Sequence, residues 1–208
     1  MIRQAINSDA PEPAAIARAV EILRLGGVVA FPTDTLYGLA VDPRSAIAVA
    51  TLFTIKGRDA QVALPLIAAD VQQAETIGEL GDIERRLAAA FWPGPLTLVL
   101  PARHELTPAA LGGGDTVAVR VPAHGVARAL ARAFGFAITA TSANLSGASA
   151  TADPDAVHAA FGDRLDLLFD AGLAPGGPPS TIVRIDRGRP TLVRAGAIAW
   201  ERVLESLQ

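Results

Sequence analysis

Three short strings set chemically capable side chains close together, each beside an apolar run. Pro32-Thr33-Asp34-Thr35-Leu36-Tyr37-Gly38-Leu39 packs two hydroxyls, a carboxylate and a phenol into otherwise apolar surroundings. This is a dense hydrogen-bonding set, and Asp and Thr equally suit a capped turn for local reasons. Lys56-Gly57-Arg58 places two cations on either side of a helix-breaking glycine. A compact ammonium and a planar guanidinium together could neutralise a polyphosphate; a cation at a helix end also complements the macrodipole. In Thr139-Ala140-Thr141-Ser142-Ala143-Asn144-Leu145-Ser146-Gly147, small residues let a ligand approach the backbone, while Ser142 and Asn144 supply a hydroxyl and an amide. Arg120 lies inside the strand-like Val117-Ala118-Val119-Arg120-Val121, where a buried guanidinium needs an anionic partner. Arg194, before Ala195-Gly196, is a weaker instance of the same kind.

These strings suggest anion handling rather than acid–base catalysis. There is no GxSxG and no Ser–His–acid set with recognisable spacing. Gly112-Gly113-Gly114 lacks the following Lys-Ser/Thr of a phosphate loop and reads as a turn. Of the 18 basic residues 17 are Arg, so Lys56 is the sole ammonium side chain. That singularity fits a chemical role, and codon bias accounts for it as well.

The elements that must position these strings alternate between helix and strand periodicity, which predicts an α/β protein with a mostly buried sheet. Ala14 to Leu25 reads as a helix, preceded by Pro11 and Pro13 and closed by Gly26-Gly27. Val28 to Phe31 is a short strand ending at Pro32. Further helices are expected over residues 44 to 55, Asp82 to Phe91, Val126 to Phe134, Pro154 to Phe161 (capped by Asp153) and Ile198 to Leu207. Further strands are expected over Ala63 to Ala69, Leu96 to Leu100, Thr116 to Val121, Phe136 to Thr141, Leu165 to Phe169, Thr181 to Ile185 and Thr191 to Val193. Each polar string thus follows a strand or a helix end, and the ends of strands are where open α/β sheets bind ligands.

Composition excludes several classes. Half of the 208 residues are hydrophobic and 19% are charged, so a disordered chain is excluded. No apolar run reaches the roughly 20 residues of a membrane span, and Met1 to Gln4 leads into no signal-like apolar core. The expectation is a cytoplasmic protein. With no cysteine there is no disulfide, thiolate nucleophile or cysteine-ligated zinc. His104, His124 and His158 lack metal-ligand spacing and read as structural or surface residues. A net charge of −3 argues against generic nucleic-acid coating while allowing a local basic cleft.

Seven strings in collinear order resemble the YrdC/Sua5 family of L-threonylcarbamoyladenylate synthases. They are Pro32 to Leu39, Lys56-Gly57-Arg58, Pro93-Gly94-Pro95-Leu96-Thr97, Thr116 to Arg120, Thr141 to Gly147, Ser180-Thr181-Ile182-Val183 and Leu192-Val193-Arg194-Ala195-Gly196. The resemblance runs from about residue 13 to 198 and implies one YrdC-like domain over 1–208. It further implies a single twisted, mixed parallel and antiparallel sheet flanked by helices, with a basic concave cleft.

The reaction it implies converts L-threonine, bicarbonate and ATP to threonylcarbamoyl-AMP and pyrophosphate, for tRNA threonylcarbamoylation. The family's Lys-x-Arg…Ser-x-Asn tetrad falls on Lys56, Arg58, Ser142 and Asn144, carried over as catalytic. By similarity ATP is held by Lys56, Arg58, Thr116, Ser142, Asn144 and Arg194, and threonine by Thr35, Arg120, Ala140 and Ser180. Mg²⁺ is expected to arrive on the ATP phosphates, with no protein metal site. The expected partners are the small-molecule substrates and, downstream, tRNA or a threonylcarbamoyl-transferase complex, with no membrane. Val62, Ile67, Ala150, Asp59 and Arg184 depart from common family residues, and Val62 and Ala150 each remove a polar contact. Two rival readings are an RNA-binding module without adenylate synthesis and a carbamoyl-transfer domain. The absence of cysteine and of a basic, aromatic-interleaved stripe disfavours both.

Overall fold

The structure, a computed structural model of the 208 residues, describes residues 1–57, 62–103 and 105–208. From the N-terminus run β1 (Ile2–Ala5), α1 (Pro13–Arg24), β2 (Val29–Phe31), β3 (Gly38–Ala40), α2 (Ala46–Lys56) and β4 (Leu66–Ile67). Next come α3 (Val71–Ile77), α4 (Asp82–Phe91), β5 (Leu96–Pro101), β6 (Thr116–Arg120), α5 (Gly125–Phe134) and β7 (Ile138–Thr139). The chain continues through β8 (Thr141–Ser142), α6 (Pro154–Phe161), β9 (Leu167–Asp170), β10 (Thr181–Asp186), β11 (Arg189–Arg194) and α7 (Trp200–Glu205).

Local chemistry explains the boundaries. Pro13 opens α1 at a position where its missing N–H costs nothing. Ala15, Ile16, Ala19, Val20 and Leu23 then form its buried stripe. Ser45 caps α2 by accepting the Ala48 N–H, and Gly57 ends it in the left-handed region at φ 60°. That conformation favours glycine, so Lys56 becomes the last helical residue. Asp153 caps α6 through the Asp155 N–H, as its position predicts. β10 and β11 form a hairpin whose two-residue loop, Arg187 and Gly188, has φ of 51° and 75°. Positive φ at both positions is the pattern of a type I′ turn, whose twist matches that of the strands.

The strands form two mixed sheets where a single one was expected. One has the order β1-β9-β2-β3-β8, the other β11-β10-β5-β6-β4-β7. In the first, β1, β9 and β2 run parallel, β3 runs antiparallel to β2, and β8 runs antiparallel to β3. The predicted strand Phe136 to Thr141 is what joins them. It divides into β7, paired with β4, and β8, paired with β3, with Ala140 between the two ladders. The Ala140 N–H bonds to Pro65 O at 2.8 Å, so the crossing point is anchored to the second sheet.

Strand alternation divides the core. Val29 and Phe31 of β2 face one apolar cluster with α1, α5 and the second sheet, whereas Ala30 faces another with α2 and α6. On α5, Val126, Leu130 and Phe134 are buried, and each contributes about 1.5–3 kcal/mol of hydrophobic stabilisation. Among the described residues no helix is long and apolar enough to cross a membrane.

Candidate active site

A cleft of about 270 Å³ opens where the two sheets meet. Its walls come from the β2–β3 turn, the end of β6, the β7–β8 crossing and the start of β10, the places where the sequence concentrates its polar strings.

The β2–β3 turn is built around Thr33. Its Oγ1 donates to Leu36 O at 2.7 Å and accepts the Thr35 and Leu36 N–H groups at 3.2 and 3.3 Å. Thr33 thus caps the turn, as the local reading has it, and the turn places Thr35 in the cleft lining. Tyr37 plays a different part. Fully buried, its hydroxyl donates to Gly172 O at 2.8 Å and accepts the Ala171 N–H at 3.1 Å. Burial pushes the phenol up to about 12, so it braces the loop after β9 and stays protonated.

Arg120 ends β6 with its side chain in the cleft, on the face that Thr116 and Ala118 share by the two-residue repeat. Its anionic partner is Asp34: Arg120 Nη1 donates to Asp34 Oδ1 at 2.8 Å, with side chains 9% and 10% exposed. Burial pulls the guanidinium below its ordinary value and the Asp34 charge pulls it back up. Across the cleft, Ser180 Oγ lies 2.8 Å from Thr97 Oγ1. Arg194 Nη2 donates to Ser180 O at 2.8 Å and to its Oγ at 3.1 Å. Thr97 belongs to a string singled out in the sequence but was given no role there; a buried hydroxyl in an apolar strand was the available signal.

The arrangement offers two guanidinium groups, hydroxyls that include those of Thr35, Ser142 and Ser180, and the backbone at Ala140, whose N–H is already engaged by Pro65 O. Guanidinium groups and hydroxyls lining one small space suit a small ligand that carries a carboxylate and further polar groups. The family model Sua5_yciO_yrdC, described as telomere recombination, matches residues 21–196. The chain belongs to this family.

Individual members agree. The chain is 44% identical to the threonylcarbamoyl-AMP synthase of Halorhodospira halophila over 162 residues, 77% of this chain and 85% of that protein. It is 40% identical to the enzyme of the same name from Idiomarina loihiensis over 160 residues, 76% of this chain and 86% of that one. Its fold matches the crystal structure of P. abyssi Sua5 complexed with L-threonine at a TM-score of 0.95 and 35% identity, covering 100% of this chain and 61% of that chain.

The carried-over positions of the Sua5/YciO/YrdC family fall into two groups. Thr35, Arg120, Ala140, Ser142, Ser180 and Arg194 all line the one cleft. Thr116 lies outside it, exposed at the outer end of the β6 face. Arg58 lies outside the described residues. Lys56 and Asn144 stand behind the cleft wall. Lys56 is 3% exposed, and its Nζ donates to Ser142 O and, at 2.9 Å, to Asn144 O. Asn144 Nδ2 donates to Leu145 O and Ala148 O at 2.9 and 2.7 Å, while its buried Oδ1 lacks a partner.

One glycine of the family strings bears directly on the wall. A Cβ at Gly196 would meet Pro179 O at 2.2 Å and the Ser180 C and Thr181 N atoms at 2.5 Å. These are backbone atoms, so Gly196→Ala must push the Ser180 segment away. Overpacking of this kind costs about 1–3 kcal/mol. The variant is expected to show a lowered melting temperature and weakened threonine binding, read by scanning calorimetry and titration calorimetry; wild-type values in both would show that the segment yields freely.

Proposed function

We propose that this chain makes threonylcarbamoyl-AMP from L-threonine, bicarbonate and ATP, releasing pyrophosphate, and that residues 1–208 act as one domain. The observation that carries the proposal is Arg120: a buried guanidinium, held on one side by Asp34, that lines a small cleft shared with Thr35, Ser180 and Ala140. Arg120 would grip the threonine carboxylate, the Ala140 carbonyl would accept from its ammonium, and Thr35 and Ser180 would serve its remaining polar atoms.

A cleft of about 270 Å³ sits just under the ~300–1,000 Å³ typical of drug-sized ligands. It suits the amino acid and leaves most of the nucleotide outside, along the β6 face towards Thr116 and over the loop after Ser142. Once the threonine ammonium has released one proton to solvent, its nitrogen bonds to the bicarbonate carbon, and the bicarbonate hydroxyl leaves as water with a second nitrogen proton. A carbamate oxygen then bonds to the α-phosphorus of ATP as its bond to the pyrophosphate oxygen breaks. Negative charge builds on the phosphates in that step; Arg194 and the donors around Ser142, which line the cleft, would stabilise it, and the family resemblance assigns Arg58 the same task.

Mg²⁺ would be held by the phosphate oxygens. Among the described residues no group of three His, Asp or Glu could hold a metal ion, and Asp34 has both oxygens engaged, by Arg120 and by the Ala123 N–H. The adenylate is a mixed anhydride and so an activated donor; in this reading a cytoplasmic transferase would pass its threonylcarbamoyl group to tRNA.

Pyrophosphate release is expected to require threonine and bicarbonate together. The cleft also carries Leu36, Leu66 and Ile67, apolar surface for the threonine methyl. Serine, lacking that methyl, is expected to turn over roughly 10–200-fold less efficiently. Release at the full rate without bicarbonate, or with serine and threonine equal, would sink the assignment.

A further inference from the structure

The Asp34–Arg120 pair forms a partition. Arg120 lines the cleft just described, while Asp34 lines a second cavity of about 340 Å³ on the far side, with Ser8, Asp9, His124, Leu173 and Pro175. Only Asp34 of the pair lines the second cavity, and something must fix which way the remaining donors of Arg120 point. Asp34 is placed to do so. Its Oδ1 takes Arg120 Nη1 at 2.8 Å, and its Oδ2 accepts the Ala123 N–H at 3.1 Å. Both carboxylate oxygens are thereby fixed, one to the tip of β6 and one to the turn that follows it. The Thr33-capped turn fixes the backbone from which Asp34 projects. Among the described residues Nη1–Asp34 is the one hydrogen bond the Arg120 side chain makes; its other donors are left for the cleft.

We infer that Asp34 is a positioning residue for the amino-acid substrate: by holding one edge of the Arg120 guanidinium, it turns the other edge toward the substrate carboxylate. The inference rests on the functional reading above and names a residue that touches no substrate. A carboxylate is needed here rather than an amide. An anion holds the buried guanidinium against its desolvation, whereas an amide offers one neutral acceptor. His124 shares the second cavity, with a buried Nδ1 that has no partner. Burial holds its imidazole below the ordinary value, against the opposing pull of Asp34 and Asp9. It is therefore neutral at pH 7 and leaves the Asp34 charge to Arg120.

The test is titration calorimetry with threonine and with a non-hydrolysable ATP analogue, on wild type, Asp34→Asn, Arg120→Lys and the double variant. Asp34→Asn is expected to weaken threonine binding roughly ten- to a hundredfold while the ATP analogue stays within about twofold. Asp34 adjoins Thr35, so a local disturbance could also weaken threonine; the double variant separates the two. If Asp34 acts through Arg120, the double variant binds threonine little worse than Arg120→Lys alone. Wild-type threonine affinity in Asp34→Asn, or losses that add in full, would overturn the inference. Should Asp34→Asn not fold, Asp34→Glu keeps the charge but moves the carboxylate by one methylene. Selective loss of threonine affinity there supports the role, and wild-type affinity overturns it. If wild-type protein binds no threonine, the functional reading itself falls and takes this inference with it.

Discussion

Arg120→Lys is expected to yield a folded protein that binds the ATP analogue normally and threonine on the order of 10–100-fold more weakly. The wild-type side chain performs two tasks at once: one edge pairs with Asp34 at 2.8 Å and the other faces the cleft. A planar guanidinium can do this because its five donors fan out in fixed directions; an ammonium is a point charge on a flexible stem. Lysine would satisfy the buried Asp34 first, leaving the threonine carboxylate without its bidentate partner. Charge-assisted hydrogen bonds contribute about 1.5–3 kcal/mol each, and losing one of that size gives the expected factor. The fold survives because the Asp34 charge keeps a cationic partner. Titration calorimetry decides: unchanged threonine affinity would make Arg120 an ordinary strand residue paired with an acid.

How far this site could be read from sequence depends on the distance over which each feature is encoded. Helices α1, α4, α5 and α6 announce themselves through periodicity, caps and flanking Pro or Gly, all within one or two turns of chain. Burial of Arg120 in an apolar strand already implied an acid beside it. Naming Asp34, 86 residues away, required the turn that aims it. β3 was missed because Gly38-Leu39-Ala40 is three residues long and sits inside a string that reads as chemistry. β1 and α3 were missed because Ile2–Ala5 and Val71–Ile77 are short and largely polar, and pairing and packing hold them in place. Ala63 to Ala69 looks like a full strand, yet only Leu66 and Ile67 pair as one. The break at Ala140 is also silent locally: Phe136 to Thr141 is one continuous run, and only the two partner strands reveal that it serves two sheets. Tyr37 misled in the other direction, since a phenol among hydroxyls looks like chemistry until its burial is known.

Lys56 shows the same limit most sharply, and its replacement by Arg is expected to leave a folded protein with catalysis reduced about a hundredfold or more. The sequence marks Lys56 as the lone ammonium and suggests phosphate as its target. In the structure its Nζ is turned to the carbonyls of Ser142 and Asn144, and its own carbonyl accepts the Ser146 N–H at 2.9 Å. The end of α2 is thus tied at three points to the loop whose first residue, Ser142, lines the cleft. Two carbonyls from residues i and i+2 converge on nearly one point. An ammonium can occupy that point, whereas a guanidinium spreads its donors along a wider, rigid fork. With Lys56 only 3% exposed, the bulkier group must push the loop outward. The strain costs about 1–3 kcal/mol, which a domain stable by roughly 5–15 kcal/mol survives. Catalysis is less forgiving, because a displacement near 1 Å at a positioning residue can cost on the order of 10²-fold. A helix-end charge alone would predict almost no change, since Arg complements the macrodipole as well as Lys within a few tenths of a kcal/mol. Circular dichroism and threonine-dependent pyrophosphate release separate the two: a folded, slow variant assigns Lys56 to holding the loop, and a near-normal rate reduces it to generic positive charge.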